Sequence, residues 1–239
     1  NQFENINTGV AINAQGLGSS TFALERQENV SGVQLANNVF DDVINSINLH
    51  TTISDASPSD KIKTGSFSDV DIYGNVFNQI NSALVLDTGS SLYPSESVCV
   101  FNNTLINTRS SSLVLTSVRD IEIFNNLFSM PQSTLITTNA DNTNATQNSL
   151  AYVDNNLFWN YSNLSWHLGN GSTTGTMYTD LASWNMASSH PELESNPDEN
   201  ALLDDPEFID PSRSNYQLSP SSPARDKGRF GMSIGADFN

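Results

Sequence analysis

The sequence predicts an all-β fold, a single-stranded right-handed parallel β-helix of about six coils with an irregular C-terminal cap. Three observations predict it: a strand–Asn–strand segment that recurs along the chain, the spacing of its copies, and a change of texture after Leu168.

The first full copy is Val33-Gln34-Leu35-Ala36-Asn37-Asn38-Val39-Phe40, and the second is Val70-Asp71-Ile72-Tyr73-Gly74-Asn75-Val76-Phe77. Three more follow, running Val98 to Leu105, Ile121 to Phe128 and Ala151 to Phe158, with Asn103, Asn126 and Asn156 at the same place. Each reads apolar, x, apolar, two variable residues, Asn, x, large apolar. Alternation at period two marks strands with one buried face. A second alternation follows the earlier copies, at Ile47 and Leu49, Leu84 and Leu86, and Leu113 and Leu115. Asn1-Gln2-Phe3, followed by Val10 and Ile12, reads as the second half of an earlier copy. The chain is therefore expected to open inside a coil: either an upstream β-helix segment of the same protein is its partner, or the boundary is very abrupt.

Spacing separates a solenoid from a sandwich. Val98 and Ile121 lie 23 residues apart, about one turn of a parallel β-helix, and the other intervals of 37, 28 and 30 are that turn plus insertions. Hairpins would not return the same Asn to the same place five times. Asn38, Asn75, Asn103, Asn126 and Asn156 are thus expected to stack as a structural ladder at one corner, in the left-handed conformation that Asn tolerates.

Totals narrow the function. A chain of 239 residues with 37% apolar residues can bury a core without disulfides, and Cys99 is the only cysteine. Acidic residues number 26 against 9 basic ones, a net charge of −17, which argues against nucleic acid and anionic membranes as partners. No apolar run is long enough to span a bilayer, and no signal peptide is visible. Asn-x-Ser/Thr triplets at Asn29, Asn102, Asn144, Asn160, Asn163 and Asn170 are at the level expected by chance in so Asn-rich a chain.

Residues 13–29, 50–68, 88–97 and 138–149 are the insertions, all on one corner, where they would wall a groove over the first strand of each coil. Outward positions on that strand are Gln34, Asp71, Cys99, Glu122 and Tyr152. Strands lie about 4.8 Å apart, which puts Asp71 and Glu122, two coils apart, near the upper limit for the carboxylate pair of an inverting glycosidase. Arg26, Lys61 and Lys63 lie in the insertions, His50 begins one, and Arg119 precedes the fourth copy. With Tyr152 they are the candidate substrate-binding set, because a cationic cleft suits an anionic polymer. β-Elimination at a uronate needs such cations and a base, so Lys61, Lys63, Arg119, Asp71 and Glu122 are the catalytic candidates. Asp69, Asp71, Asp120 and Glu122 are hard-ion ligands by type, and calcium is the ion they would take. Cys99 has no neighbouring histidine in the pattern and reads as a small strand residue.

Residues 1–170 form the coils and 171–239 the cap. Tyr178 to Trp184 reads as a short helix, and the Pro-rich segments beyond cannot continue a ladder.

The cap carries a resemblance. Leu181 and Trp184, then Asp205-Pro206-Glu207-Phe208-Ile209-Asp210-Pro211, then the run from Tyr216 through Ser222-Pro223-Ala224 to Gly228, then Ile234-Gly235-Ala236, resemble the end of extracellular bacterial right-handed β-helix proteins. With the coils Asn103-Thr104-Leu105-Ile106-Asn107 and Asn126-Leu127-Phe128, the chain is most similar to polysaccharide lyase family 6, the alginate lyases and chondroitinase B, in their C-terminal portion. That family's catalytic coils carry a Glu-x-Glu calcium pair, a Lys a few residues on and an Arg one coil later. Asp120-Ile121-Glu122 is the nearest acidic pair here, no Lys follows it, and Glu192-Leu193-Glu194 lies outside the coils. No catalytic residue carries over. The resemblance implies a secreted, periplasmic or cell-surface bacterial protein, the β-helix portion of a polysaccharide lyase acting on a uronate-containing polymer. Its rivals are an inverting hydrolase using Asp71 and Glu122, and a non-catalytic carbohydrate-binding or adhesive β-helix.

Overall fold

The computed structural model describes residues 1–4, 8–17, 29–54, 66–87, 94–132, 134–139, 149–161, 164–169, 175–190 and 192–236. The chain is all-β, built on three stacked parallel sheets that it visits in fixed rotation. The five strands of the long-strand sheet are Asn29–Ala36, Ser66–Tyr73, Ser95–Phe101, Val118–Phe124 and Leu150–Asp154. Each continues into a three-residue strand of the short-strand sheet: Val39–Asp41, Val76–Asn78, Thr104–Ile106, Leu127–Ser129 and Leu157–Trp159, with Gln2–Glu4 before them. The third sheet holds Thr8–Leu17, Asn45–Ser54, Ser82–Asp87, Leu113–Thr116, Ile136–Asn139 and Trp166–Leu168, and ends in an antiparallel strand, Thr176–Tyr178.

The register is the one the repeat requires. Val33, Val70, Val98 and Ile121 stack in one row, Ile47, Leu84, Leu113, Ile136 and Trp166 in another. Phe3, Phe40 and Phe77 stack face to face at 4.9 Å along the short strands, and their rows join one buried core. A buried Phe contributes about 2–3 kcal/mol relative to exposure, so these rows dominate cohesion between coils. In the third sheet the first two strands run further than the apolar alternation: Asn13 to Leu17 stays paired with His50 to Ser54. Residues placed at the start of two insertions are therefore sheet, since β-branched Thr51, Thr52 and Ile53 suit an extended chain.

The asparagine ladder is present. Asn38, Asn75, Asn103, Asn126 and Asn156 are buried, and the side-chain Nδ2 of each of the first four donates to the next rung's Oδ1 at 3.0–3.2 Å. Each of those oxygens also accepts the preceding rung's backbone N–H at 2.9–3.1 Å. Asn1 begins the row on Asn38. The left-handed conformation belongs to the residue before each rung, not to the rung itself. Asn37, Gly74, Asn102, Asn125 and Asn155 have φ between 52° and 63°, which turns the backbone so that the following amide points inward. A second set of left-handed residues, Asp42, Gln79, Asn107, Met130 and Asn160, bends the chain into the third sheet.

After the coils, Trp184 of the helix Leu181–Asn185 stacks on Trp166 at 5.0 Å, and Leu193 and Leu202 bridge to Leu150 and Leu157. Residues 203–236 then leave that end and form an arm along the outside of the short-strand sheet. Its hairpin, Phe208–Asp210 with Asn215–Leu218, carries Tyr216 to Val39 and Val76, and Leu218, Ala224 and Ile234 pack on Leu127 and Leu157. Gly235 at φ 93° lies so close to the sheet that a Cβ there would meet Thr104 Oγ1 at 2.8 Å.

Candidate functional site

The outward row on the long-strand sheet forms as the alternation predicts: Gln34, Asp71, Cys99, Glu122 and Tyr152 are register neighbours on successive strands. Gln34 is exposed, and the other four are half-buried. Asp71 and Glu122 flank Cys99. Burial first, then the charges of Glu122 and Asp71, push the Cys99 thiol above its ordinary value, against a smaller opposing effect of Arg229. A thiol held protonated in this way is a poor nucleophile.

Two positions further along, the three middle strands carry aromatic rings: Tyr73 and Phe101 are half-buried and Phe124 is buried, while Ala36 and Asp154 hold the same place on the outer two. Tyr73 stacks on Phe101 at 5.0 Å and 10°, and Phe101 on Phe124 at 5.2 Å and 6°. Tyr152 meets Phe124 edge-on at 6.1 Å. The alternation that put Asp71 outward does the same for Tyr73, so the signal was in the repeat itself, at the first of its two variable positions.

Glu122 has a partner that sequence reasoning missed. Arg229, from the C-terminal arm, donates from Nη1 to Glu122 Oε2 at 2.7 Å, and its guanidinium sits 4.1 Å over the Tyr152 ring and 5.0 Å over Phe124. Burial, and then the Asp154 carboxylate, raise the Tyr152 phenol, whose hydroxyl donates to Asn155 Oδ1 at 2.9 Å.

The remaining candidates are dispersed. Asp69 and Asp120 are exposed and fall where the strand register steps over a left-handed residue (φ 53° and 51°), so they leave the alternation that Asp71 and Glu122 keep. Among the described residues no three His, Cys, Asp or Glu side chains come together as a metal site. Arg119 is half-buried and in register with Glu96, three residues before Glu122. His50 lies on the third sheet, its Nδ1 3.3 Å from Asp87 Oδ2. Arg26, Lys61 and Lys63 lie outside the described residues.

The acidic pair outside the coils has structural partners. Thr138 donates to the buried Glu192 at 2.6 Å, and Ser149 donates to Glu194 at 2.9 Å. Asp198 closes the asparagine ladder, accepting Asn156 Nδ2 at 2.8 Å on one oxygen and Trp184 Nε1 at 2.9 Å on the other. Its full burial pushes the carboxyl from 3.8 up to about 6, although both hydrogen bonds oppose that shift. An Asn could accept only one of those two donors.

Comparison of the chain with protein-family models, curated proteins and solved structures finds no match, so the resemblance to polysaccharide lyase family 6 rests on the quoted motifs alone.

Proposed function

We propose that the chain is a right-handed parallel β-helix of a secreted bacterial protein and that it holds a polysaccharide along the outer face of its long-strand sheet. One observation carries this reading: the stacked, half-buried Tyr73 and Phe101 rings run beside the polar row of Gln34, Asp71 and Glu122, with Phe124 buried under Arg229 at the end of the stack. Sugar rings present apolar C–H faces and hydroxyls together, and a strip of ring edges beside planar amides and carboxylates is complementary to both. Parallel sheets are ordinarily covered on both faces, so a half-exposed outer face suits a ligand surface.

Cleavage is the further step of this reading. For β-elimination of a uronate, Arg119 and the insertion residues Arg26, Lys61 and Lys63 would supply the cations and base. Hydrolysis by Asp71 and Glu122 is less favoured, because Glu122 is engaged by Arg229 at 2.7 Å.

The test is incubation with alginate, pectate, chondroitin and dermatan, with and without calcium. Binding is followed by calorimetry, unsaturated uronates by ultraviolet absorbance, and reducing ends by colorimetry. Binding with rising absorbance makes the chain a lyase. Reducing ends without absorbance make it a hydrolase, and saturable binding alone makes it a binding module. Failure to bind any of the four overturns the proposal.

A further inference from the structure

The C-terminal arm reaches the long-strand sheet at the turn formed by residues 228–232. Gly228 packs against Asn125 so closely that a Cβ would lie 2.6 Å from its side chain. Asn125 Oδ1 accepts the Arg229 N–H at 2.6 Å, and Asn125 Nδ2 donates to the Arg229 carbonyl at 3.4 Å. The Gly228 N–H closes the turn on the Met232 carbonyl at 2.8 Å. Arg229 is fixed in addition by Glu122, Tyr152 and Phe124. At the tip stands Phe230, 78% exposed, its ring 4.8 Å from the Arg229 guanidinium carbon.

The backbone of Phe230 is left-handed, at φ 63° and ψ 21°. A bulky residue is strained there and a glycine is not. Single exposed apolar side chains are ordinary on protein surfaces. This one is displayed at a conformational cost, on a turn anchored from both sides, at the end of an aromatic row. Strain retained at such a place points to use.

We propose that Phe230 is a stacking platform for one pyranose ring of a bound polysaccharide, an inference that rests on the polysaccharide reading above. One ring face lies against Arg229, and the exposed remainder of the ring meets the apolar C–H face of the sugar. The Arg229–Glu122 pair beside it offers both a donor and an acceptor to sugar hydroxyls. The subsite extends the Tyr73–Phe101–Phe124 row across Arg229 with a residue from the other end of the chain.

The experiment compares the unaltered chain with Phe230→Gly and Phe230→Trp, titrating each with the tightest-binding of the four polymers and melting each without ligand. Phe230→Gly is expected to weaken binding roughly tenfold, the effect of losing one aromatic stacking contact, while its thermal midpoint stays equal or rises as strain is relieved. Phe230→Trp is expected to keep affinity. Unchanged affinity in Phe230→Gly overturns the subsite and leaves the polysaccharide reading standing. A matching loss of affinity in Phe230→Trp also overturns it, since a larger ring should serve. Failure of the unaltered chain to bind any polymer overturns the reading and the subsite together.

Discussion

The short-strand and long-strand sheets lie one corner apart in every coil, yet their outer faces have opposite fates. On the short strands the outward residues are Val39, Val76, Thr104, Leu127 and Leu157, and the last four are buried under the C-terminal arm. On the long strands the outward residues are polar or aromatic, and the arm touches them through the turn around Arg229. Inner faces are nearly interchangeable between the two sheets; outer faces are not. What distinguishes them is cover, and the cover comes from the far end of the sequence: the Ala236 N–H reaches Thr104 Oγ1 across 132 positions. In a repeat protein the inward positions report the fold, and the outward ones report what each face touches.

The strongest way to break the comparison is to thin the covered face. Leu127 is fully buried between coil and arm, so Leu127→Ala should cost about 2–5 kcal/mol by urea unfolding. Cys99→Ala, at an outward position of the other sheet, should stay within about 0.5 kcal/mol. Equal losses would mean that the long-strand face is covered as well.

The join between coils and cap should respond to pH through Asp198. Its folded carboxyl titrates near 6 and its unfolded one near 3.8, so between those values the native state binds more protons. Stability therefore falls as pH rises through that window, on the order of 3 kcal/mol for this group at most. Thermal midpoints measured from pH 4 to 7 should decline more steeply in the unaltered chain than in Asp198→Asn, which has no proton to lose there. Parallel profiles would exclude Asp198 as the titrating group.

Where the arm meets the long-strand sheet, Arg229→Gln should cost about 1 kcal/mol, as a partly exposed ion pair with stacked rings does. The smallest effect concerns Cys99. Asp71→Asn removes one charge that raises its thiol, so alkylation at pH 8 should quicken. Arg229→Gln removes the charge that lowers it, and alkylation should slow.

The inner architecture was legible because a strand buried on one face repeats its apolar spacing, and each coil imposes the same spacing again. Val70, Val98 and Ile121, and all five ladder asparagines, stack where the alternation put them. The left-handed residue was misassigned by one position: in Asn102-Asn103 and Asn125-Asn126 both residues suit a corner, and composition cannot say which turns and which points inward. The left-handed backbone at Asp69 and Asp120 was not legible either, because a kink inside a strand leaves no mark in polarity. Of the candidate site, the period placed Asp71, Glu122 and Tyr152 in one outward row. Arg229 and Phe230 were not, since the arm has no repeat and its contact with Glu122 spans 107 residues.

The asparagine ladder has a direction. Every rung from Asn38 to Asn126 gives its N–H to the rung that follows and takes from the rung before. The amide dipoles therefore add head to tail, as peptide dipoles do in a helix, and the positive end of the row points at the cap. Asp198 stands at that end, as acidic residues stand at helix N-termini. The stack is thus electrically polar along its axis, and a carboxylate suits one of its ends and not the other.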